Sequence, residues 1–430
     1  MITLQERVHA APKPVDWQLD KLHHVFRVRR GNKNRGMKEE NLLSLSYGRI
    51  IQKDIETAEG LLPENFEGYQ IVEPGDIVLR LTDLQNDKRS LRQGLVTQRG
   101  IVTSAYDAVE VQRDNDPRFW FYSLLALDLA KHYYSLGGGV RQSVKFADFP
   151  NDWVYRPDLA TQRQIADFLD RETARIDLLI EKKQRLAALL AEKKSASIDQ
   201  IVNSQEWSEV KLSRLVRMID GDRSSEYPSD QDFVDEGIPF ISSKQIQDRV
   251  LTLDDAKFIT PEKFAKLGRG KLQDGDIIVT VRGTLGNTAI FQKELATTGF
   301  INAQIMIMRP ENRVDPFLLH MFTQSTAWSD QIAVEGYGSA QKQLNQDVLR
   351  RFTARYPLDT NPDRWQQIMS DLVAQHSMIG TKTNASIDRL KEYRSALITA
   401  AVTGQIDVTT YVKSGTSDPA LCAIQEEMGV

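Results

Sequence analysis

The chain has 430 residues, 41% of them apolar and 27% charged, which is ordinary globular composition and excludes collagen-like, mucin-like and wholly disordered proteins. No apolar run approaches the roughly eighteen residues of a membrane span, and the start MITLQERVHAAPKPVDW lacks the apolar core of a signal peptide. The single cysteine, Cys422, excludes a disulfide framework and a cysteine-built metal site, so the expectation is a soluble cytoplasmic protein without membrane contact.

The 55 Lys and Arg against 59 Asp and Glu give a net charge of −4, which at first disfavours a nucleic-acid partner. The cations are clustered, however. Residues 21–50 carry eight of them (Lys21, Arg27, Arg29, Arg30, Lys33, Arg35, Lys38 and Arg49) against Glu39 and Glu40, and residues 80–99 carry five against two.

Taken in chain order, the sequence repeats itself after about 200 residues. Trp17, Lys21 and Leu22 match Trp207, Lys211 and Leu212. Gly75-Asp76-Ile77 matches Gly275-Asp276-Ile277, Asp116-Pro117 matches Asp315-Pro316, and Pro157 matches Pro357. Gln164-Ile165 matches Gln367-Ile368, and Glu192, Ser195, Ala196, Ile198 and Val202 match Glu392, Ser395, Ala396, Ile398 and Val402. Many blocks in one order at nearly constant spacing mark a duplication.

Each copy reads as strand-rich sequence in which a Gly-Asp turn launches an apolar strand, IVLRL at 77–81 and IIVTV at 277–281. Asp116 and Asp315 suit N-caps, each followed by proline at the first helical position, and predict helices over roughly 117–134 and 316–329. A Gly-rich loop and a last strand lead to Pro157 or Pro357.

A long helix follows in each copy. From about 158 to 202 there is neither Gly nor Pro, and Leu169, Ile176, Lys183, Leu190 and Ser197 recur every seven residues beside a companion series Ala166, Thr173, Ile180, Ala187, Lys194 and Ile201. The rod would be roughly 65 Å long. The second helix, about 362–403, carries Ile368, Leu372, Ile379, Ile387, Leu390, Leu397 and Ala401 and stops at Gly404. Neither helix can bury its seam alone, so the two are expected to pack together. A pseudo-twofold relation between the copies would make them antiparallel. The fold class is therefore α+β: two repeated mixed α/β domains joined by two long helices packed as an antiparallel coiled coil. The expected boundaries are a first head at 1–157, a first helix at 158–203, a second head at 204–357, a second helix at 358–408 and a poorly ordered tail at 409–430.

Catalytic patterns are missing. NPDRW at 361–365 lacks the second proline of an adenine methyltransferase motif. No glycine fingerprint or Walker loop follows a strand, and His9, His23, His24, His132, His320 and His376 have no ligand spacing. Polar side chains at strand ends suit a nucleic acid better. In the second copy these are Ser242, Ser243, Lys244, Arg282, Thr284, Asn287, Gln304, Gln341, Lys342 and Gln343. In the first they are Arg80, Thr82, Arg141, Gln142 and Ser143, with Lys33 and Arg35 from the basic cluster. Arg reads guanine, Asn and Gln read adenine, and Ser, Thr and Lys hold phosphates.

GIPFISSKQI at 237–246, GDIIVTVRGTLGNTAI, FINAQIMIMRP, PDLATQRQIADFL at 157–169 and LKEYRSALITAAVTGQIDV at 390–408 resemble the specificity (S) subunits of type I restriction–modification systems. The resemblance implies a non-catalytic DNA-recognition subunit. Its two target-recognition domains each read one half of a bipartite, asymmetric double-stranded DNA site. Its helices (Leu169, Ile176, Ile180, Leu190, Ile387, Leu390, Leu397) set the spacing and dock two methyltransferase (modification) subunits and the restriction (motor-nuclease) subunits. It also implies that S-adenosylmethionine, ATP and magnesium belong to those partners, with no cofactor or metal in this chain. The first copy departs from the pattern, with LTDLQNDKRS where the second has VRGTLGNTA, so its turn is missing or rebuilt. The competing readings are a coiled-coil scaffold with two protein-binding heads and a cryptic nuclease or methyltransferase.

Overall fold

The computed structural model describes residues 2–54, 65–84, 91–136, 143–247, 249–336, 343–357 and 362–408. The fold is α+β, and it divides into two units. One comprises residues 1–184 with 384–430, the other residues 185–383. Each unit thus holds one head and parts of both long helices. The tail expected from 409 lies outside the described residues.

The Gly-Asp turn nucleates the same sheet in both units. Gly75 and Gly275 adopt positive φ (94° and 82°), and their amides donate across the ladder to Val96 O and Phe291 O. The strand that follows lies inside an antiparallel four-stranded sheet. In the first unit the order is Phe26–Val28, Asp107–Val111, Ile77–Leu79, Gln93–Leu95. In the second it is Val216–Asp220, Ile305–Pro310, Ile277–Thr280, Thr288–Ile290, the same topology. Buried on both faces, Ile77, Val78 and Leu79 match Ile277, Ile278 and Val279, which is why these strands read as continuous apolar runs.

A second four-stranded sheet accompanies each. The strand Leu42–Ser46 pairs in parallel with Gly100–Val102, as Ile238–Ile241 does with Phe300–Ile301. A two-stranded ribbon closes each head, Gln18–Lys21 with Trp153–Arg156 and Trp207–Lys211 with Thr353–Pro357. The prolines at 157 and 357 end these ribbons ahead of the long helices.

Asp116 and Asp315 cap their helices as expected, each accepting two backbone N–H bonds. The helices are shorter than expected. Pro117–Leu129 is followed, after Lys131 at φ 60°, by His132–Leu136, and Pro316–Phe322 is followed by Thr326–Gly336. In the second unit the Thr323 and Ser325 hydroxyls donate to the carbonyls of His320 and Phe322, competing with helical bonds at the break.

The long helices span Leu159–Val202 and Pro362–Val402. Every described seam position of the first helix is buried or half-buried: Leu169 and Ile176 fully, Ile180 and Leu190 in part. In the first unit Ile165, Ala166, Phe168, Leu169 and Ile176 share one core with Leu390, Tyr393, Leu397 and Ala401, and Ile387 is buried as well. Arg394 adds an ion pair to Asp177 (Nε–Oδ1 2.9 Å). In the second unit Ile198 and Val202 share a core with Trp365, against which Ile368 and Leu372 pack. Opposite halves therefore pair in each unit, as the expected antiparallel order requires. Gly404 ends the second helix at φ 71°, where a Cβ would stand 2.6 Å from Pro14 Cγ.

Candidate nucleic-acid interface

The second unit brings its described candidates together at one end of its sheets. The strand Ile277–Thr280 ends in a tight turn built by Thr280. The Thr280 hydroxyl donates to the Thr284 carbonyl and accepts the Asn287 amide (3.0 Å), while the Gly286 amide donates to Thr280 O (2.9 Å). Gly283 and Gly286 supply the positive φ that this turn needs. Arg282 and Thr284 are left exposed at its tip and Asn287 half-exposed.

Val281 is fastened on both sides, donating to Gln304 O (2.8 Å) and accepting from Leu344 N (3.1 Å). That fixes Gln304 and the isolated bridge between Arg282 and Gln343 beside the turn. Ser243 joins them through its hydroxyl, which donates to Gln304 Oε1 (3.2 Å). Ser242 does another job, since its hydroxyl donates to Gln245 Oε1 (2.7 Å) and caps the short turn 243–245, which presents Lys244 to solvent. Gln341 and Lys342 lie outside the described residues.

The first unit has the same scaffold and a different turn. Leu81 O accepts Val144 N (2.8 Å), the counterpart of the Val281–Leu344 bond, and Arg80 N donates to Arg92 O (2.7 Å) as Thr280 N does to Asn287 O (2.9 Å). Arg80 is exposed and Thr82 half-exposed there. The missing Gly-Thr-x-Gly turn is rebuilt around Arg92, whose buried guanidinium donates to the carbonyls of Thr82 (2.7 Å), Asp83 (3.1 Å) and Arg80 (3.3 Å). Arg141 and Gln142 lie outside the described residues. Lys33 is committed to a loop of the other sheet, donating to Gly68 O and Ser104 Oγ (both 3.0 Å), while Arg35 is exposed in the same segment.

A basic groove of about 600 Å³ extends this end of the first head, lined by His23, Arg27, Arg29, Arg30, Glu110 and Phe146 among others. Arg27 pairs with Glu110 (3.0 Å) and Arg29 with Asp76, whereas Arg30 is exposed and has no ion pair among the described residues. The Arg29 amide bonds Ala108 O, and Asp107 is the register partner of Leu79, so Arg30 lies at the sheet end that carries Arg80. Composition marked this cluster but not which of its cations stay free, because that depends on cross-strand partners.

The remaining chemistry is structural. Trp365 of the NPDRW segment is buried edge-on against Trp207 (5.6 Å), and Arg364 pairs with Glu206 (3.0 Å). His132 and His320 are buried on packing helices, and His23 and His24 are exposed. Among the described residues no group of three or more His, Cys, Asp or Glu is placed to hold a metal, and no helix is long and apolar enough to cross a membrane.

Residues 204–389 match the family described as the type I restriction modification DNA specificity domain. The EcoBI specificity subunit of a type I restriction enzyme from Escherichia coli is 22% identical over 325 residues, covering 69% of this chain and 68% of its own. A chain from a structural study of assembly and conformational transition in the type I R-M system superposes with a TM-score of 0.62 at 14% identity, covering 91% of this chain and 98% of that one. The HsdS subunit from Thermoanaerobacter tengcongensis gives a TM-score of 0.41 at 16% identity, over 92% and 98% of the two chains. Over residues 204–389 the chain is thus similar to type I restriction modification DNA specificity domains, and over 69% of its length to a specificity subunit.

Proposed function

We propose that this chain is the DNA-reading subunit of a type I restriction–modification complex, each head reading one half of a bipartite, asymmetric site. The observation that carries the reading is the pair of strand-end turns. They occupy the same place on a four-stranded sheet of one topology, yet they present Arg80 and Thr82 in the first head and Arg282, Thr284 and Asn287, with Gln343 beside them, in the second. A common frame with different polar tips is what reading two different base sequences requires.

The long helices set the separation of the half-sites and dock two methyltransferase subunits, with restriction subunits joining that core. The chain itself does no chemistry. S-adenosylmethionine, ATP and magnesium are held by the partners, and the complex works in the cytoplasm. One reader contacting roughly three or four base pairs discriminates weakly, at about 1–3 kcal/mol per bidentate contact. Two readers at fixed spacing add their free energies and reject sites of wrong separation.

The test is an exchange of residues 17–155 for the first head of another member of the family, followed by mapping of methylated sites in cells carrying the complex. One half-site should change and the other should not. If both change together the two-reader scheme is wrong, and if the intact complex shows no sequence preference the chain is a protein-binding scaffold.

A further inference from the structure

Behind each strand-end turn stands an arginine that faces inward. Arg92 is 2% exposed, and its guanidinium donates to three carbonyls of the turn's own backbone, those of Arg80, Thr82 and Asp83. Its amide is in turn anchored to Asp128 Oδ2 (2.7 Å), a carboxylate buried on the helix Pro117–Leu129. The turn is thereby registered to the core of its head.

Arg249 does the corresponding work in the second head from a different point in the chain. It sits at φ 66° in the hairpin that joins Ile246–Gln247 to Val250–Leu251, just after Ser242–Lys244. Its Nη1 donates to Thr323 O (2.9 Å), Thr288 Oγ1 (3.3 Å) and Gly286 O (3.4 Å). Gly286 belongs to the turn that displays Arg282 and Thr284. The Trp328 indole donates to the same carbonyl (2.9 Å). One side chain therefore ties the segment bearing Ser243 and Lys244 to the turn bearing Arg282 and to the end of the helix Pro316–Phe322.

Among the described residues no carboxylate pairs with Arg249. A half-buried cation held only by carbonyls and a hydroxyl is a poor choice for stability, since an apolar side chain of similar volume would avoid the desolvation cost. Such a cation is accounted for by a demand on geometry. Base readout tolerates little displacement, because a bidentate contact needs both hydrogen bonds at once.

We infer that Arg92 and Arg249 are positioning residues for base selectivity, each fixing the backbone of its own head's turn so that the exposed side chains meet the base edges in register. Neither touches DNA. The inference rests on the DNA-reading proposal and makes a demand that the proposal does not: selectivity in each half-site depends on one inward-facing arginine of the matching head.

The experiment uses the full chain purified with its methyltransferase subunits and a duplex library randomised across both half-sites. For Arg249→Met the preference for the second half-site should fall about ten-fold, the weight of one good base contact. Preference for the first half-site and affinity for random duplex should stay within about two-fold. Arg92→Met should give the mirror image. Equal loss in both half-sites, or equal loss on random duplex, would reduce these arginines to general structural roles and overturn the inference. Circular dichroism checks folding. Where a methionine variant is unfolded, Arg249→Lys or Arg92→Lys is read instead, and its own half-site should lose selectivity in part; no change there overturns the inference as well. A wild-type complex that enriches no sequence would sink the DNA-reading proposal itself, which separates the two failures.

Discussion

Arg309 grips Asp276 through two parallel hydrogen bonds, Nε to Oδ1 and Nη2 to Oδ2, each 2.7 Å, with the carboxylate side chain 1% exposed. The carboxylate also accepts the Gln273 amide (2.8 Å), so it holds the Gly-Asp turn and its strand together. Asp76 occupies the same place in the first head, but its cation is Arg29, which follows the edge strand Phe26–Val28, whereas Arg309 lies on the neighbouring strand Ile305–Pro310. The buried charge stayed fixed at the turn while its partner came from another strand. Removing the cation strands a carboxylate in the core, and Arg309→Met is expected to lower stability by about 3–5 kcal/mol. Urea unfolding of the full chain would show it as a lower midpoint, and a shift equivalent to under about 1 kcal/mol would mean that the pair is solvated.

Two glycines separate backbone strain from crowding. Gly275 has φ 82°, and a Cβ there would stand 3.0 Å from Pro316 Cγ, on a ring that cannot swing away. Gly283 has φ 75° and nothing within 4 Å. Gly283→Ala should cost about 1 kcal/mol, the backbone contribution alone, and Gly275→Ala should cost more, up to about 3 kcal/mol. Equal melting temperatures for the two variants would contradict the contact with Pro316.

Burial holds the His320 imidazole neutral, with its pKa lowered from an ordinary 6.5 to about 4; the Thr288 carbonyl opposes the shift, and the nearby charges of Arg249 and Lys194 add to it. The neutral ring fits its partners, since Nε2–H donates to Thr288 O (3.4 Å) and Nδ1 accepts from Gln324 Nε2 (3.3 Å). As the pH falls below 6.5 the unfolded chain takes up a proton that the folded chain refuses until about pH 4. The folded state therefore loses stability over that window, by at most about 3 kcal/mol. His320→Gln keeps a donor and an acceptor and should flatten the dependence. His9, held near 4 by burial in the first unit, leaves a residual slope, so the quantity to measure is the difference between wild type and variant at pH 7 and pH 5. Parallel curves would refute the assignment.

Arg282 and Arg30 should fail in different ways. Arg282, at the tip of the second turn, is expected to read a base, so Arg282→Ala should weaken cognate binding by about 1–3 kcal/mol while sparing random duplex. Arg30, in the open groove of the first head, is expected to contact a phosphate. Arg30→Ala should weaken cognate and random duplex alike and lower the slope of log K against log salt by about one. Fluorescence anisotropy over a salt series distinguishes them, and swapped behaviour would reverse the two assignments.

Much of the frame was legible because single residues carry it. The absence of Gly and Pro marked Leu159–Val202, Gly404 marked the end of the second helix, and Asp116 and Asp315 marked caps whose chemistry is local. The strand-end turn at 281–287 was legible for the same reason, since its glycines must occupy positive φ. What could not be read is what depends on distant partners. Nothing local distinguishes Arg92, which is buried, from Arg80, which is exposed, in the same cationic stretch. The helix breaks after Leu129 and Phe322 escaped notice because both segments keep strong apolar character through them. The exchange of Arg29 for Arg309 as the partner of an equivalent aspartate is invisible without cross-strand register.

The core of the first unit takes Leu390, Tyr393, Leu397, Ala401, Val402, Ile406 and Val408 from the far end of the chain. During synthesis the first head therefore emerges more than two hundred residues before the side chains that finish its interior. The second unit, drawn from residues 185–383, is complete earlier. The core begun first is therefore expected to be completed last, since loop-closure entropy and sequence-distant contacts weigh on the head made first. A ribosome stalled before residue 384 would release a chain whose second head can close and whose first head waits with exposed leucines, a substrate for chaperones or proteases.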